Sequence, residues 1–193
     1  VPGGLSIDFD AKQIKMLLGY VEKQLKNVKR KRLYFEYRRE GCTTIPGNYF
    51  YKMVDFSGAD NIFKDAKNVN VDSESIMKRN PQYIVKVSDV NMLSKYEPPT
   101  LAEHTKILEE LKKRPGWDGI DAVKENNILL LSHYVHGGAS KIVGTMYIAK
   151  FLYPEQLPDL NPEEVFKVWL EKYQHLPYIA GHTLPAYKTN KEK

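Results

Sequence analysis

The run of four apolar residues at 128–131, ILLL, constrains the fold of this chain more than any other stretch. The run is continuous rather than alternating, and Ser132 follows it. A strand that is apolar on both faces belongs inside a parallel sheet that helices cover on both sides. Two further strands are predicted at 32–37 and 82–88, where aromatic and β-branched residues accumulate.

Predicted helices alternate with these strands. Their apolar residues recur at spacings of three and four, and Thr100 with Glu103 forms a capping box at the start of one of them. The predicted helical stretches are 10–27, 49–56, 71–81, 97–117, 119–127, 141–153 and 161–173. This order predicts an α/β fold, a three-layer αβα lobe with a mostly parallel central sheet and a helical lead-in at the N-terminus.

Composition excludes several classes of protein. The chain has 193 residues, 42% apolar and 27% charged, which suits a globular domain. No apolar run reaches the roughly 18 residues that a membrane span needs. The net charge of +5 is concentrated at 26–32 and near the C-terminus. No aromatic residues are interleaved there, so nucleic acid is not expected as a partner. Cys42 is the single cysteine, which excludes an internal disulfide and a cysteine-based metal site.

Ligands of open α/β sheets bind outside the carboxyl ends of the strands. Three predicted loops lie at that edge, at 38–47, 88–98 and 133–140. In the third loop, His133 and His136 stand three residues apart, a spacing that allows two imidazoles to share a metal. The same pair is more typical of an ordinary loop, so the metal is left unknown.

The first loop begins with Tyr37, Arg38 and Arg39. Two adjacent guanidinium groups can pair with carboxylates or phosphates of a ligand. A solvated loop explains them equally well, because arginines are common on protein surfaces.

Catalytic signatures are missing from the sequence. No Gly-x-Ser-x-Gly elbow, P-loop or Gly-x-Gly-x-x-Gly motif is present. A binding protein is therefore favoured over an enzyme. The alternative is an α/β hydrolase or transferase that uses Cys42 or the pair His133 and His136.

Five stretches, in order along the chain, resemble the C-terminal lobe of the metal-chelate class of ABC-importer solute-binding proteins, which bind ferric siderophores, haem or cobalamin. These stretches are VKRKRLYFEY, FSGADNIFKD, VDSESIMKRNPQYIVKV, RPGWDGIDAVKENNILLLS and GTMYIAKFLYPEQLPDLNPEE. Together they cover about residues 28–175. The resemblance implies three segments: a lead-in at 1–28 that ends an inter-lobe helix, the solute-binding lobe at 29–178, and a tail at 179–193. The N-terminal lobe of the same parent chain would lie upstream.

The resemblance also implies a non-enzymatic function without a cofactor. The lobe would close over a metal chelate and deliver it to an ABC permease in the membrane. The protein would work at the extracellular or periplasmic face of the cytoplasmic membrane, either free or lipid-anchored. The residues expected to face the ligand cleft are Tyr37, Arg38, Arg39, Lys86, His133, Tyr134 and His136.

Asp60 has a separate expected role. It lies in FSGADNIFKD, after Gly58 and Ala59, where the resemblance places an acidic residue that meets arginines of the permease. A carboxylate beside small residues leaves room for a guanidinium group. The simpler interpretation is that Asp60 only caps the following turn.

Overall fold

The computed structural model describes residues 11–88, 96–137 and 140–187. Its sheet has five strands in the order β2-β1-β3-β4-β5. They are β1 Lys31–Glu36, β2 Ala59–Asn61, β3 Tyr83–Val87, β4 Ile128–Leu131 and β5 Thr183–Leu184. The first four are mutually parallel and β5 is antiparallel to β4. The predicted α/β class with a mostly parallel sheet is confirmed.

The helices follow the predicted order. They are α1 Ala11–Leu25, α2 Tyr51–Phe56, α3 Ser73–Arg79, α4 Leu101–Lys112, α5 Asp121–Lys124, α6 Lys141–Leu152 and α7 Pro162–Val168. α7 continues as a π-helix over Trp169–Gln174. The predicted capping box at Thr100 is present, since its side chain accepts from the Glu103 amide and the Glu103 carboxylate accepts in return. Most of the predicted loop at 88–98 lies outside the described residues, as do Gly138 and the two chain ends.

The sheet separates two apolar layers, as the ILLL run predicts. Leu129 and Leu131 of β4 pack into the layer built with α1, α2, α6 and α7. Ile128 and Leu130 face the other layer, which α3, α4 and α5 cover. All four β4 side chains are buried. Burial on both faces is what makes a strand read as a continuous apolar run.

Two short strands were not predicted. β2 lies inside FSGADNIFKD, and three residues are too few to show a period of two. Gly58, just before it, has φ +83°, a conformation that favours glycine. β5 contains two residues and pairs with the end of β4. Residues 183–184 therefore belong to the sheet, although the predicted lobe ends at 178.

The two edges of the sheet differ in what they carry. β1, β3 and β4 end at one edge, where Tyr37, Ser88 and Ser132 follow them. The opposite, amino edge borders a groove of about 870 Å³ between α1 and α2. No helix within the described residues is both long and apolar enough to cross a membrane.

Candidate functional site

The loops that follow β1 and β4 meet at the carboxyl edge of the sheet. The ring of Tyr37 lies 5.8 Å from that of His133, centroid to centroid, in an edge-to-face arrangement. The Arg38 guanidinium carbon is 5.4 Å from the centroid of the Tyr37 ring. Three of the residues that the sequence assigns to the cleft are thus brought together.

Three further residues at this edge were missed by the sequence analysis. Phe50 lies 5.0 Å from the Tyr37 ring, and Tyr49 lies 4.9 Å from Phe50. The Lys141 ammonium sits 3.6 Å from the centroid of the Tyr49 ring, and Tyr49 is 52% exposed. We call the set Tyr37, Arg38, Tyr49, Phe50, His133 and Lys141 the aromatic wall. The sequence signal that could have revealed Tyr49 and Phe50 is the Tyr-Phe-Tyr run at 49–51, which follows the first loop.

The aromatic wall lies at the amino end of α6, and this end of a helix favours bound anions. The first turn of α6 has no acidic residue and begins with Lys141. The Ser140 hydroxyl makes no cap bond and instead donates to the carbonyl groups of Tyr134 and Gly137. The positive end of a helix dipole stabilises anions. The helix end, Lys141 and Arg38 therefore bring positive charge to an aromatic surface.

His133 and His136 are both neutral near pH 7. Burial lowers the pKa of His133 to about 4, and the charge of Arg38 acts in the same direction. His136 is 0% exposed, and burial lowers its pKa to about 3, with a smaller contribution from His133. Neither ring nitrogen of His136 has a hydrogen-bond partner among the described residues. His136 therefore packs as an apolar ring, 5.3 Å from Phe50.

The two imidazoles do not form part of a larger metal-ligand set. Their ring centroids are 5.2 Å apart at nearly a right angle. Within the part of the chain that the structure describes, no three histidine, cysteine or acidic side chains are grouped so as to hold a metal.

Tyr134 lies apart from the aromatic wall. Its ring stacks on His182 at 5.6 Å and contacts Trp169 at 5.7 Å. His182 in turn bonds to the Ser132 hydroxyl at 2.7 Å. Burial lowers the pKa of His182 to about 4. Tyr134 therefore extends the carboxyl edge toward β5, and its contact with a ligand stays a prediction.

A second buried serine–histidine pair closes the end of β3. The Ser88 hydroxyl lies 3.3 Å from Nε2 of His104, and both side chains are buried. Burial also lowers the pKa of His104 to about 4. Sequence reasoning missed both pairs, because His104 and His182 are distant in sequence from the serines that they contact.

Arg39 and Lys86 occupy opposite environments. Arg39 is exposed in the loop after β1. Lys86 is 6% exposed and lies on the α3–α5 side of the sheet, beside the buried Glu36. Its ammonium donates to the carbonyl oxygens of Tyr37 and Arg38. Ligand contact by Lys86 stays a prediction; its structural contacts are with the loop that carries two other cleft residues.

Asp60 lies at the other edge of the sheet. In β2 it pairs in register with Arg32, near the start of β1. Its carboxylate is 2.6 Å from the Lys64 ammonium, and its side chain is 31% exposed. The docking role stays a prediction, and it requires the permease to contact the amino edge of the sheet.

Comparison with known protein families and with curated proteins finds no match. Solved structures do match. A TroA-like periplasmic binding protein, FepB of Veillonella parvula, is 21% identical with a TM-score of 0.74, over 92% of this chain and 56% of that one. Helicobacter pylori CeuE with bound Ni(II) is 18% identical with a TM-score of 0.67, over 86% of this chain and 51% of that one.

A third similar structure is Haemophilus influenzae MolA bound to molybdate. It is 18% identical with a TM-score of 0.66, over 86% of this chain and 49% of that one. The chain thus spans about half the length of the solved structures that it matches. The resemblance drawn from the five sequence stretches is confirmed at the level of the fold, and the chain has the fold of one lobe of the TroA-like periplasmic binding proteins.

Proposed function

We propose that this chain is the C-terminal lobe of an ABC-importer solute-binding protein that binds a metal chelate and delivers it to a membrane permease. The observation that carries the proposal is the aromatic wall at the carboxyl edge of the sheet, with Arg38 and Lys141 over its rings. The fold supports it, since the similar structures are periplasmic binding proteins.

The aromatic wall suits an organic complex better than a bare ion. Aromatic rings cover apolar ligand surface, while the cations pair with anionic oxygens. Two neutral imidazoles alone, such as His133 and His136, make an incomplete coordination shell for a metal ion. We therefore propose a ferric siderophore, haem or a corrinoid as the ligand. One similar structure holds nickel and another holds molybdate, so the fold does not select among these ligands. Titration of the protein with each complex is the experiment that selects among them.

A second lobe completes the proposed site. This chain spans only about half the length of the matched structures, and Tyr49 of the aromatic wall is half exposed. Binding sites normally bury most of a small ligand, which one open surface cannot do. We propose that the N-terminal lobe of the parent chain covers the aromatic wall. We also propose that the protein works outside the cytoplasmic membrane, at its extracellular or periplasmic face.

The enzyme alternative requires a nucleophile that is accessible and activated by a neighbouring base, and the described residues show no such arrangement. Cys42 is half-buried, and its backbone forms a bridge to Asn70. The hydroxyls of Ser88 and Ser132 touch imidazoles but are buried with them. Rapid reaction of Cys42 with a thiol reagent near neutral pH would favour the enzyme, because only an activated thiolate reacts fast there.

The proposed function is tested by titrating the full-length protein with a ferric siderophore, haem and cobalamin, following calorimetry and tryptophan fluorescence. One of these complexes should bind with micromolar or tighter affinity. A Tyr49→Ala or Lys141→Glu variant should bind it at least about tenfold more weakly, as expected for the loss of a ring or a charged hydrogen bond. A protein that binds none of them, or whose variants bind unchanged, would contradict the proposal.

Delivery to the permease is tested at Asp60. Asp60→Arg should suppress uptake while leaving chelate affinity unchanged, because like charge would face permease arginines and the aromatic wall lies at the other edge. Asp60→Glu keeps the charge and should be tolerated. Asp65, whose side chain is 64% exposed and which follows Asp60 by five residues, offers a charge-reversal control. Normal uptake with Asp60→Arg would contradict the docking role and leave Asp60 with a structural role only, through its ion pair with Lys64.

A further inference from the structure

Lys86 binds the backbone of the first loop rather than solvent. Its ammonium donates to the carbonyl oxygen of Tyr37 at 2.7 Å and to that of Arg38 at 2.8 Å. Its third contact is the Glu36 carboxylate at 3.0 Å. An ammonium has three protons, so these contacts use its whole donor capacity.

This arrangement fixes the direction of two successive peptide groups. In a trans peptide the carbonyl and the following N–H point in opposite directions. Since Lys86 holds the carbonyls of Tyr37 and Arg38 toward itself, the amides of Arg38 and Arg39 are directed away from Lys86 and its buried surroundings. Successive amides that point the same way form a concavity that binds anions.

A buried charge network holds Lys86 in place. Glu36 is 0% exposed and accepts two hydrogen bonds of 2.9 Å from Arg114. It also accepts from the hydroxyl of Tyr34 and from the amide of Gly41. Burial alone would raise the pKa of Glu36, but the hydrogen bonds of Arg114 and the two positive charges outweigh it and lower the pKa. The ionised carboxylate therefore fixes one end of the loop at Gly41, while Lys86 fixes the other.

We propose that Lys86 is a positioning residue: it orients the loop at 37–39 so that the amides of Arg38 and Arg39 meet an anionic oxygen of the chelate. The lobe thereby favours anionic chelates over neutral ones. This inference rests on the proposed function of the aromatic wall, and it assigns the charge class of the ligand. It also gives Lys86 a role that acts through the backbone, without direct contact to the ligand.

The test compares Lys86→Met with Tyr34→Phe in the full-length protein. Both variants remove a bond to Glu36, but only Lys86→Met releases the two carbonyl groups. Each protein is titrated with ferric enterobactin, which is anionic, and with ferrichrome, which is neutral. Lys86→Met should lose about tenfold more affinity for the anionic complex than for the neutral one, and Tyr34→Phe should change both equally. If Lys86→Met does not fold, Lys86→Gln serves in its place, since its amide fills the site without the charge.

A second readout needs no ligand. In carbon-13 NMR spectra of the free protein, Lys86→Met should shift the carbonyl signals of Tyr37 and Arg38, while Tyr34→Phe should leave them in place. Unmoved carbonyl signals, equal losses for the two chelates, or a wild-type preference for ferrichrome would each overturn the inference. Moved signals in a protein that binds neither chelate would overturn the assigned ligand class and leave only the orientation of the loop, whereas the proposed function would fail only if haem and cobalamin did not bind either.

Discussion

Replacing His136 with phenylalanine should make the protein markedly more resistant to acid. His136 is fully buried against the rings of Phe35 and Phe50, and neither of its nitrogens has a hydrogen-bond partner among the described residues. Its pKa in the folded protein is about 3, because burial disfavours the charged ring. The pKa of an unfolded histidine is about 6.5.

The sign of the effect follows from these two pKa values. Between pH 6.5 and 3 the unfolded chain binds a proton at His136 that the folded chain does not. Unfolding is therefore increasingly favoured as the pH falls, by about 1.4 kcal/mol per pH unit for this one group. From pH 6.5 to pH 4 the loss sums to about 3 kcal/mol. This contribution to stability is fully present above pH 6.5, and His136→Phe removes its dependence on pH.

The assay is urea unfolding followed by tryptophan fluorescence at pH 7.5, 6, 5 and 4. At pH 7.5 the difference between variant and wild type reports only packing of the new ring. Below pH 6.5 the free energy of unfolding of the variant should rise relative to wild type by about 1.4 kcal/mol per pH unit. The control is His175→Asn, since His175 is exposed and asparagine tolerates its φ of +54°. That variant should follow the wild-type pH profile. If His136→Phe and wild type instead run parallel from pH 7.5 to 4, the reasoning from burial is wrong.

Two further predictions concern packing and ligand contact. Gly144→Ala should lower the free energy of unfolding by about 1–3 kcal/mol, measured in urea, because the new Cβ would lie 2.4 Å from Cβ of His136 and 2.8 Å from Sδ of Met53. Alanine is the better helix former by about 1 kcal/mol, so a stabilised variant would show that this contact relaxes freely. His133→Ala and Tyr134→Ala should each weaken chelate binding by about 1–3 kcal/mol in calorimetric titrations of the full-length protein. Unchanged affinity in both would make the loop after β4 structural only.

The fold was largely predictable because its signals are local. Four consecutive apolar residues predict that β4 is buried on both faces. The capping box requires only Thr100 and, three residues later, Glu103. β2 and β5 were not predicted, since strands of three and two residues have no measurable periodicity. They exist because the neighbouring strands present unpaired backbone groups to them.

The candidate site was predictable only in part. The rule that ligands bind at the carboxyl ends of parallel strands located Tyr37, Arg38 and His133 correctly at one edge. It did not find Lys141, which reaches Tyr49 from 92 residues further along the chain. Lys86 was also predicted to face the cleft, and its ligand contact stays a prediction; its bonds to the buried Glu36 carboxylate and to the carbonyl oxygens of Tyr37 and Arg38 are contacts that the sequence does not reveal.

The location of the bound chelate is the most direct test of the account. Amide hydrogen exchange of the full-length protein, with and without the complex that binds it, would map the contact surface. We expect slower exchange in the segments 37–51 and 133–137 and at Lys141, which carry the residues of the aromatic wall, and no change beside the groove between α1 and α2. Protection confined to that groove, or exchange that is identical with and without the complex, would contradict the claim that the carboxyl edge of the sheet binds the ligand.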